Sequence, residues 1–154
     1  MVNDPLSSSF AVVSVHGDLT FFTSLRQQGE ANQAPLLFYR AWEECLELQV
    51  MDKETWVAEV LSRMSLLPWR YEIGMHNGDQ AVGGVILGPD EDIHVGPCLS
   101  VYAQYVLPEY RNRGTSMRCM RMAERAAIHF GYKVLAYTHR VGDWRYETIY
   151  RRVT

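Results

Sequence analysis

Tyr105-Val-Leu-Pro-Glu-Tyr-Arg-Asn-Arg-Gly-Thr-Ser116 is the stretch whose reading decides the fold. An apolar strand end runs into a proline turn, then into a short Arg/Gly loop, and a helical pattern begins at Ser116. Such a loop aims several backbone N–H groups at one spot. The helix adds its unpaired N–H groups and the positive end of its dipole. Together they make a place for a phosphate or pyrophosphate.

Upstream, Phe10–Val15 reads as a first strand, and His16-Gly-Asp-Leu-Thr20 turns into a short helix around Phe21–Gln28, with Asp18 or Thr20 as its cap. Leu36–Gln49 reads as an acidic amphipathic helix, with Phe38, Ala41, Cys45 and Leu48 on one stripe and Glu43, Glu44 and Glu47 away from it. Lys53–Ser65 follows as a second helix, with Asp52 at the N-cap and Pro68 past its end. Tyr71, Ile73 and Met75 alternate into an Asn77-Gly78-Asp79 turn, and Ala81–Leu87 is the hairpin partner. Gly88–Asp92 reads as a second turn, and Leu99–Leu107 as the strand feeding the phosphate loop. The helix spans Ser116–Phe130, stopped by Gly131, and Lys133–Val141 is the strand after it.

Arg111-Asn112-Arg113-Gly114-Thr115-Ser116 after a strand and a Val-Leu-Pro resembles the acyl-CoA loop of the GNAT superfamily of N-acyltransferases, Arg/Gln-x-x-Gly-x-Gly/Ala. Ser116 stands where that family prefers Gly or Ala. The order of elements is similar too, over roughly Phe10–Val141. The resemblance implies a mixed α/β (α+β) fold: one domain over residues 1–154, a mostly antiparallel twisted sheet with helices on both faces, and a central splayed pair of parallel strands. It further implies direct acyl transfer from acetyl-CoA, or another acyl-CoA, to an amine. Tyr105 and Val106 would bind the pantetheine arm through backbone groups, and the N–H groups from Arg111 to Ser116 (Arg111, Asn112, Arg113, Gly114, Thr115, Ser116) would hold the pyrophosphate. Arg111 and Arg113 would supply charge at its rim; their other reading is surface solubility.

The C-terminus departs from the resemblance, which leads one to expect a further helix. Residues 133–153 read instead as one long hairpin closed by Gly142-Asp143, a two-residue loop suited to a type II′ turn. This pairing sets His139 opposite Tyr146, Tyr137 opposite Thr148 and Leu135 opposite Tyr150. It also sets Arg140 against Arg145, a like-charge pair that counts against the register. With no later helix to bring a proton donor, Tyr137, His139 and Tyr150 are the candidates on one aromatic-rich face. Packing or mere lining is the other reading of each.

Composition bounds the rest. The chain has 154 residues, 47% hydrophobic and 21% charged, enough to bury a core without disulfides. No apolar run approaches the roughly 18 residues needed to cross a bilayer, so a cytoplasmic protein without membrane contact is expected. Cys45, Cys98 and Cys119 are scattered and suit free thiols, and the histidines show no paired metal-ligand spacing. Residues 1–107 carry 5 basic against 14 acidic side chains, whereas residues 108–154 carry 10 against 4. The basic share begins at the proposed phosphate loop, as an anionic co-substrate favours. The chain as a whole, at −3, argues against nucleic acid. The rival function is a GNAT-fold protein that binds a protein partner with reduced catalysis, as compact chains of this kind in bacteriophage genomes suggest. The acceptor is not legible in the sequence.

Overall fold

A computed structural model describes residues 13–154. The elements follow in the order β1 (Val13–His16), β2 (Leu19–Gln27), α1 (Leu36–Glu44), a 3-10 turn (Leu46–Val50), α2 (Lys53–Leu66), β3 (Trp69–Asn77), β4 (Gln80–Asp92), β5 (Gly96–Val106), a 3-10 turn (Pro108–Tyr110), α3 (Thr115–His129), β6 (Val134–Gly142) and β7 (Arg145–Arg152). All seven strands form one sheet in sequence order. Every neighbouring pair is antiparallel except β5–β6. That parallel pair flanks α3, because a helix joining two strands of one sheet makes a crossover.

Alternation along the strands sorts side chains between two helical layers. On one face, Tyr71 meets Phe130 of the α3 end at 5.6 Å between rings, and Met75 Sδ lies 3.7 Å from Cys119 of α3. Phe21, Ile73, Leu87, Leu99 and Leu135 complete this core with Ala123, Ala126 and Ala127. Glu72 and Gly74 point to the other face, beneath Leu37 and Phe38 of α1. Helices on both faces of a mostly antiparallel sheet were the expected architecture, and the chain has it.

Several expected elements are corrected. Residues 10–12 of the expected first strand lie outside the described residues. The helix expected at Phe21–Gln28 is strand β2: Leu19, Phe21 and Thr23 are buried in alternation, so period-2 burial overrides the helical reading. Asp18 sits in the β1–β2 turn beside Gly17, which has φ +62°, and caps no helix. The Leu36–Gln49 helix stops at Glu44, where Cys45 turns extended (φ −106°, ψ 112°) and a 3-10 turn follows. Asp52 does cap α2, accepting from the Thr55 N–H at 3.0 Å.

Gly88–Asp92 is no turn, since β4 keeps pairing with β5 as far as Asp92–Gly96. The reversal falls at residues 93–95, where the Asp92 carboxylate accepts from the His94 and Val95 N–H groups, a local Asx arrangement. The C-terminal hairpin forms, but one residue out of the expected register. A bulge between Arg140 and Gly142 sets His139 opposite Glu147, Tyr137 opposite Ile149 and Ala136 opposite Tyr150. Arg140 then faces Tyr146, which removes the like-charge pair. The loop is Asp143-Trp144, with Trp144 at φ +61°.

Candidate active site

β5 and β6 pair at only two positions, Leu99 with Leu135 and Ser100 with Ala136. Beyond them β5 stays bound to β4 as far as Val106, while β6 stays with β7. The jump from the Ile86–Ala103 pair to Leu87–Val101 leaves Tyr102 as an extra residue, a bulge that bends β5 at the place where the two strands part. The result is a V-shaped opening in the middle of the sheet.

The loop at the mouth of the V is built as its sequence demands. Leu107 N–H bonds Val82 O at 2.8 Å, and Pro108–Tyr110 makes one 3-10 turn. Asn112 and Gly114 both take positive φ, +60° and +75°. Gly114 is the N-cap of α3, so no cap side chain satisfies the first-turn N–H groups or stands over them. Thr115 is buried, its hydroxyl donating to Tyr110 O. Asn112, Arg113, Gly114 and Ser116 are exposed. His16 of β1 approaches the loop from the side, its Nε2 3.3 Å from Arg113 O. A bare helix start beside an unzipped strand pair fits a pyrophosphate with an arm that runs between strands.

Arg111 behaves differently from Arg113. Its Nε donates to Val106 O at 2.9 Å, and its two terminal nitrogens grip Glu44 of α1 at 2.5 and 2.7 Å. Tyr105 donates to the same carboxylate at 2.8 Å. The Val106 carbonyl is thus already bonded by a side chain. On the other arm of the V, Arg140 grips Glu47 with Nε and a terminal nitrogen, and Tyr146 also donates to Glu47. The Glu44–Glu47 segment therefore straps the opening, one carboxylate to each side. The Arg140 pair and the Tyr146 hydroxyl hold Glu47 down at about 2, so at neutral pH it is an ion and a poor base. Arg111 lowers Glu44 likewise. Burial and the adjacent carboxylates push Tyr105 and Tyr146 up to about 12. The sequence set these glutamates off the apolar stripe without showing the strap; the Arg140–Arg145 pair that counted against the expected register was the one clue that Arg140 pairs elsewhere.

The three residues expected on one hairpin face are divided by the register. Tyr150 shares the face of Ala136, at the closed end of the pair, where its hydroxyl donates to Asp92 at 2.9 Å beside His94. Tyr137 and His139 point to the α3 face. Tyr137 accepts from Arg151, which in turn pairs with Glu124 of α3. His139 lies in the splayed stretch and is exposed. On the opposite face, under α1, lies a shallow pocket that reaches β5 at Ala103 and Tyr105. The described residues contain no cluster of side chains able to hold a metal, and Cys45, Cys98 and Cys119 are free thiols. No described helix is long and apolar enough to cross a membrane.

The profile of the acetyltransferase (GNAT) family matches residues 35–145. Among solved structures, the chain is similar to an aminoglycoside N-acetyltransferase in complex with CoA, at 14% identity and TM-score 0.55, covering 77% of this chain and 78% of that one. It is similar to a ribosomal-protein-alanine N-acetyltransferase from Brucella melitensis, at 15% identity and TM-score 0.54 over 79% and 81%. An aminoglycoside 6'-N-acetyltransferase from Acinetobacter haemolyticus gives 19% identity and TM-score 0.51 over 74% and 79%. At such identities the likeness is one of fold. No curated protein sequence matches the chain.

Proposed function

Because the chain belongs to the acetyltransferase (GNAT) family, we propose that it transfers an acyl group, the acetyl of acetyl-CoA, to an amine by direct attack. One observation carries this reading: the β5–β6 ladder stops after two pairs next to a helix start left bare by Gly114. A CoA thioester supplies an activated carbonyl. The protein supplies the rest. The N–H groups from Asn112 to Ser116 bind the pyrophosphate, with Arg113 at its rim. The edge of β5 past Ser100 orients the pantetheine arm, and Arg111 closes that edge at Val106.

The two faces divide the labour. The phosphate loop opens α3, so the sulfur belongs to the α3 side, while the pocket under α1 admits the amine. The amine lone pair adds to the carbonyl carbon, the C–S bond breaks, and the thiolate must take up a proton. Tyr137 and His139, on the α3 face of the splayed arm, are the groups for that transfer. The hydroxyl of Tyr137 accepts from Arg151, leaving its own proton to give. Glu44 and Glu47 hold the cleft in shape and are too acidic to take the ammonium proton. Water serves that end, and holding the two reactants in line supplies most of the rate.

Calorimetry with acetyl-CoA and free CoA, joined to thiol release in the presence of amines, tests the reading. CoA binding at the loop with amine-dependent thiol release is expected. A protein that binds neither form of CoA is not an acyltransferase.

A further inference from the structure

β7 is the last strand of the sheet, so its far side pairs with no described strand. The phase of the hairpin decides which groups lie open there. The Val153 N–H donates to Lys133 O, so Val153 and, in alternation, Arg151, Ile149 and Glu147 turn their N–H and C=O groups to β6. Tyr146, Thr148, Tyr150 and Arg152 turn theirs outward. Four residues with two groups each leave eight backbone groups along this edge. The strand is 8 residues long without a proline, and every residue of it but Ile149 is exposed. An open edge of that length is a template for another strand.

Charges on an edge strand ordinarily deter pairing, and β7 carries Arg145, Glu147, Arg151 and Arg152. Their order makes them complementary to the same strand read backwards. With a two-fold axis through Ile149, Glu147 of each copy stands opposite Arg151 of the other, and Ile149 meets its own counterpart. On the other face Thr148 meets Tyr150, and Tyr146 meets Arg152, a guanidinium beside an aromatic ring. All four outward-turned residues then find outward-turned partners, with two hydrogen bonds to each pair. Neighbouring registers do worse. An axis through Thr148 sets Arg145 against Arg151, and one through Tyr150 leaves Glu147 opposite Val153, with no ion pair.

We infer that the chain binds a second copy of itself through β7, antiparallel about Ile149, so that two seven-stranded sheets join into one. This is independent of the acyl-transfer reading. It has a consequence for the cleft all the same. The partner's Arg152 comes beside Tyr146, whose hydroxyl bonds Glu47 of the strap, so each copy braces the hairpin arm of the other's opening.

Sedimentation of the full chain over a concentration series reads the association, and a dimer is expected. Thr148→Pro deletes an N–H that points away from β6, so the hairpin keeps its ladder and the variant should be a monomer with parental circular dichroism. Glu147→Arg sets like charges opposite each other twice and should weaken the dimer by about tenfold or more. Ile149→Cys should cross-link to its own counterpart on mild oxidation, since directly opposed residues of antiparallel strands lie within disulfide reach. The parent, with Cys45, Cys98 and Cys119, sets the background. A parent that stays monomeric up to about 1 mM overturns the inference. So does a dimer that Glu147→Arg leaves intact, which must form on another surface, or one in which Ile149→Cys does not cross-link. If Thr148→Pro fails to fold, those two variants decide alone.

Discussion

Glu44, the last residue of α1, and Arg111, in the loop after β5, form a two-pronged ion pair that ties the helical layer to the mouth of the cleft. The arginine that heads the phosphate-loop motif is therefore already neutralised. Both side chains are about one-third exposed, at 37% and 35%, so the pair adds at most about 1 kcal/mol to stability. Its consequence is for binding. Glu44→Gln should leave the melting temperature almost unchanged and tighten CoA binding by up to about tenfold, since Arg111 is then free to attract the phosphates. Calorimetry at two salt concentrations checks this, and the gain should shrink at high salt. Weaker binding would mean that the pair's hold on the cleft matters more to CoA than the charge it neutralises.

Glu47 makes the matching tie to the hairpin, and it is sensitive to acid. Its folded value of about 2 lies below the ordinary 4.5, so protons bind the unfolded chain more readily. The tie is at full strength above about pH 4.5 and is lost as pH falls towards about 2. Glu47→Gln should melt lower than the parent at pH 6, and the difference should close across that window. Melting curves at pH 6, 4, 3 and 2 would show it; a difference independent of pH would mean that the arginine pair contributes nothing.

The central features were legible because each has a local cause. Pro108 and Gly114 fix the loop, Asp52 the start of α2, and the crossover rule the parallel pair. The β2 strand was misread because Phe21, Leu25 and the polar residues between them fit a helix as well as a strand, and only the partners on β1 and β3 decide. The hairpin register turned on one bulge at Val141, which moved Tyr150 to the opposite face from Tyr137. The Glu44–Glu47 strap joins residues 67 to 99 positions apart, and no spacing rule reaches that far.

The division of Tyr137 and His139 from Tyr150 has a kinetic consequence. Tyr137→Phe and His139→Ala should each retain CoA affinity and lose acyl transfer by about 10²–10⁴-fold where the residue protonates the thiolate. Tyr150→Phe, which loses the hydroxyl's contacts to Asp92 and His94, should transfer at the parental rate. Single-turnover thiol release for the three variants separates these outcomes. Equal rates in all of them would remove the hairpin from the chemistry.

Arg70 and Glu72 form a buried pair, their side chains 1% and 4% exposed, and Glu72 also anchors Asn32 and Gln33 over the pocket. Glu72→Ala would strand the Arg70 charge in the interior. The expected loss is about 3–5 kcal/mol in urea unfolding. A loss below about 1 kcal/mol would mean that water reaches Arg70 and that the pocket floor is looser than its hydrogen bonds imply.

Gly114 tests the phosphate loop itself. At φ +75°, any side chain is strained, and Gly114→Val should cost about 1–2 kcal/mol. Space is not limiting, since the nearest atom to a Cβ there is His16 Nε2 at 4.0 Å, so the fold should survive. That strain must be separated from the loss of a ligand site, and Gly131 provides the control. It has φ +80° and nothing within 4 Å of its Cβ position, at the far end of the same helix. Gly131→Val should lower the melting temperature about as much as Gly114→Val while binding CoA like the parent. On the proposed binding mode, Gly114→Val alone should lose CoA, because its side chain would stand between the pyrophosphate and the N–H groups. Equal CoA affinity in the two variants would place the pyrophosphate elsewhere and remove the loop from the mechanism.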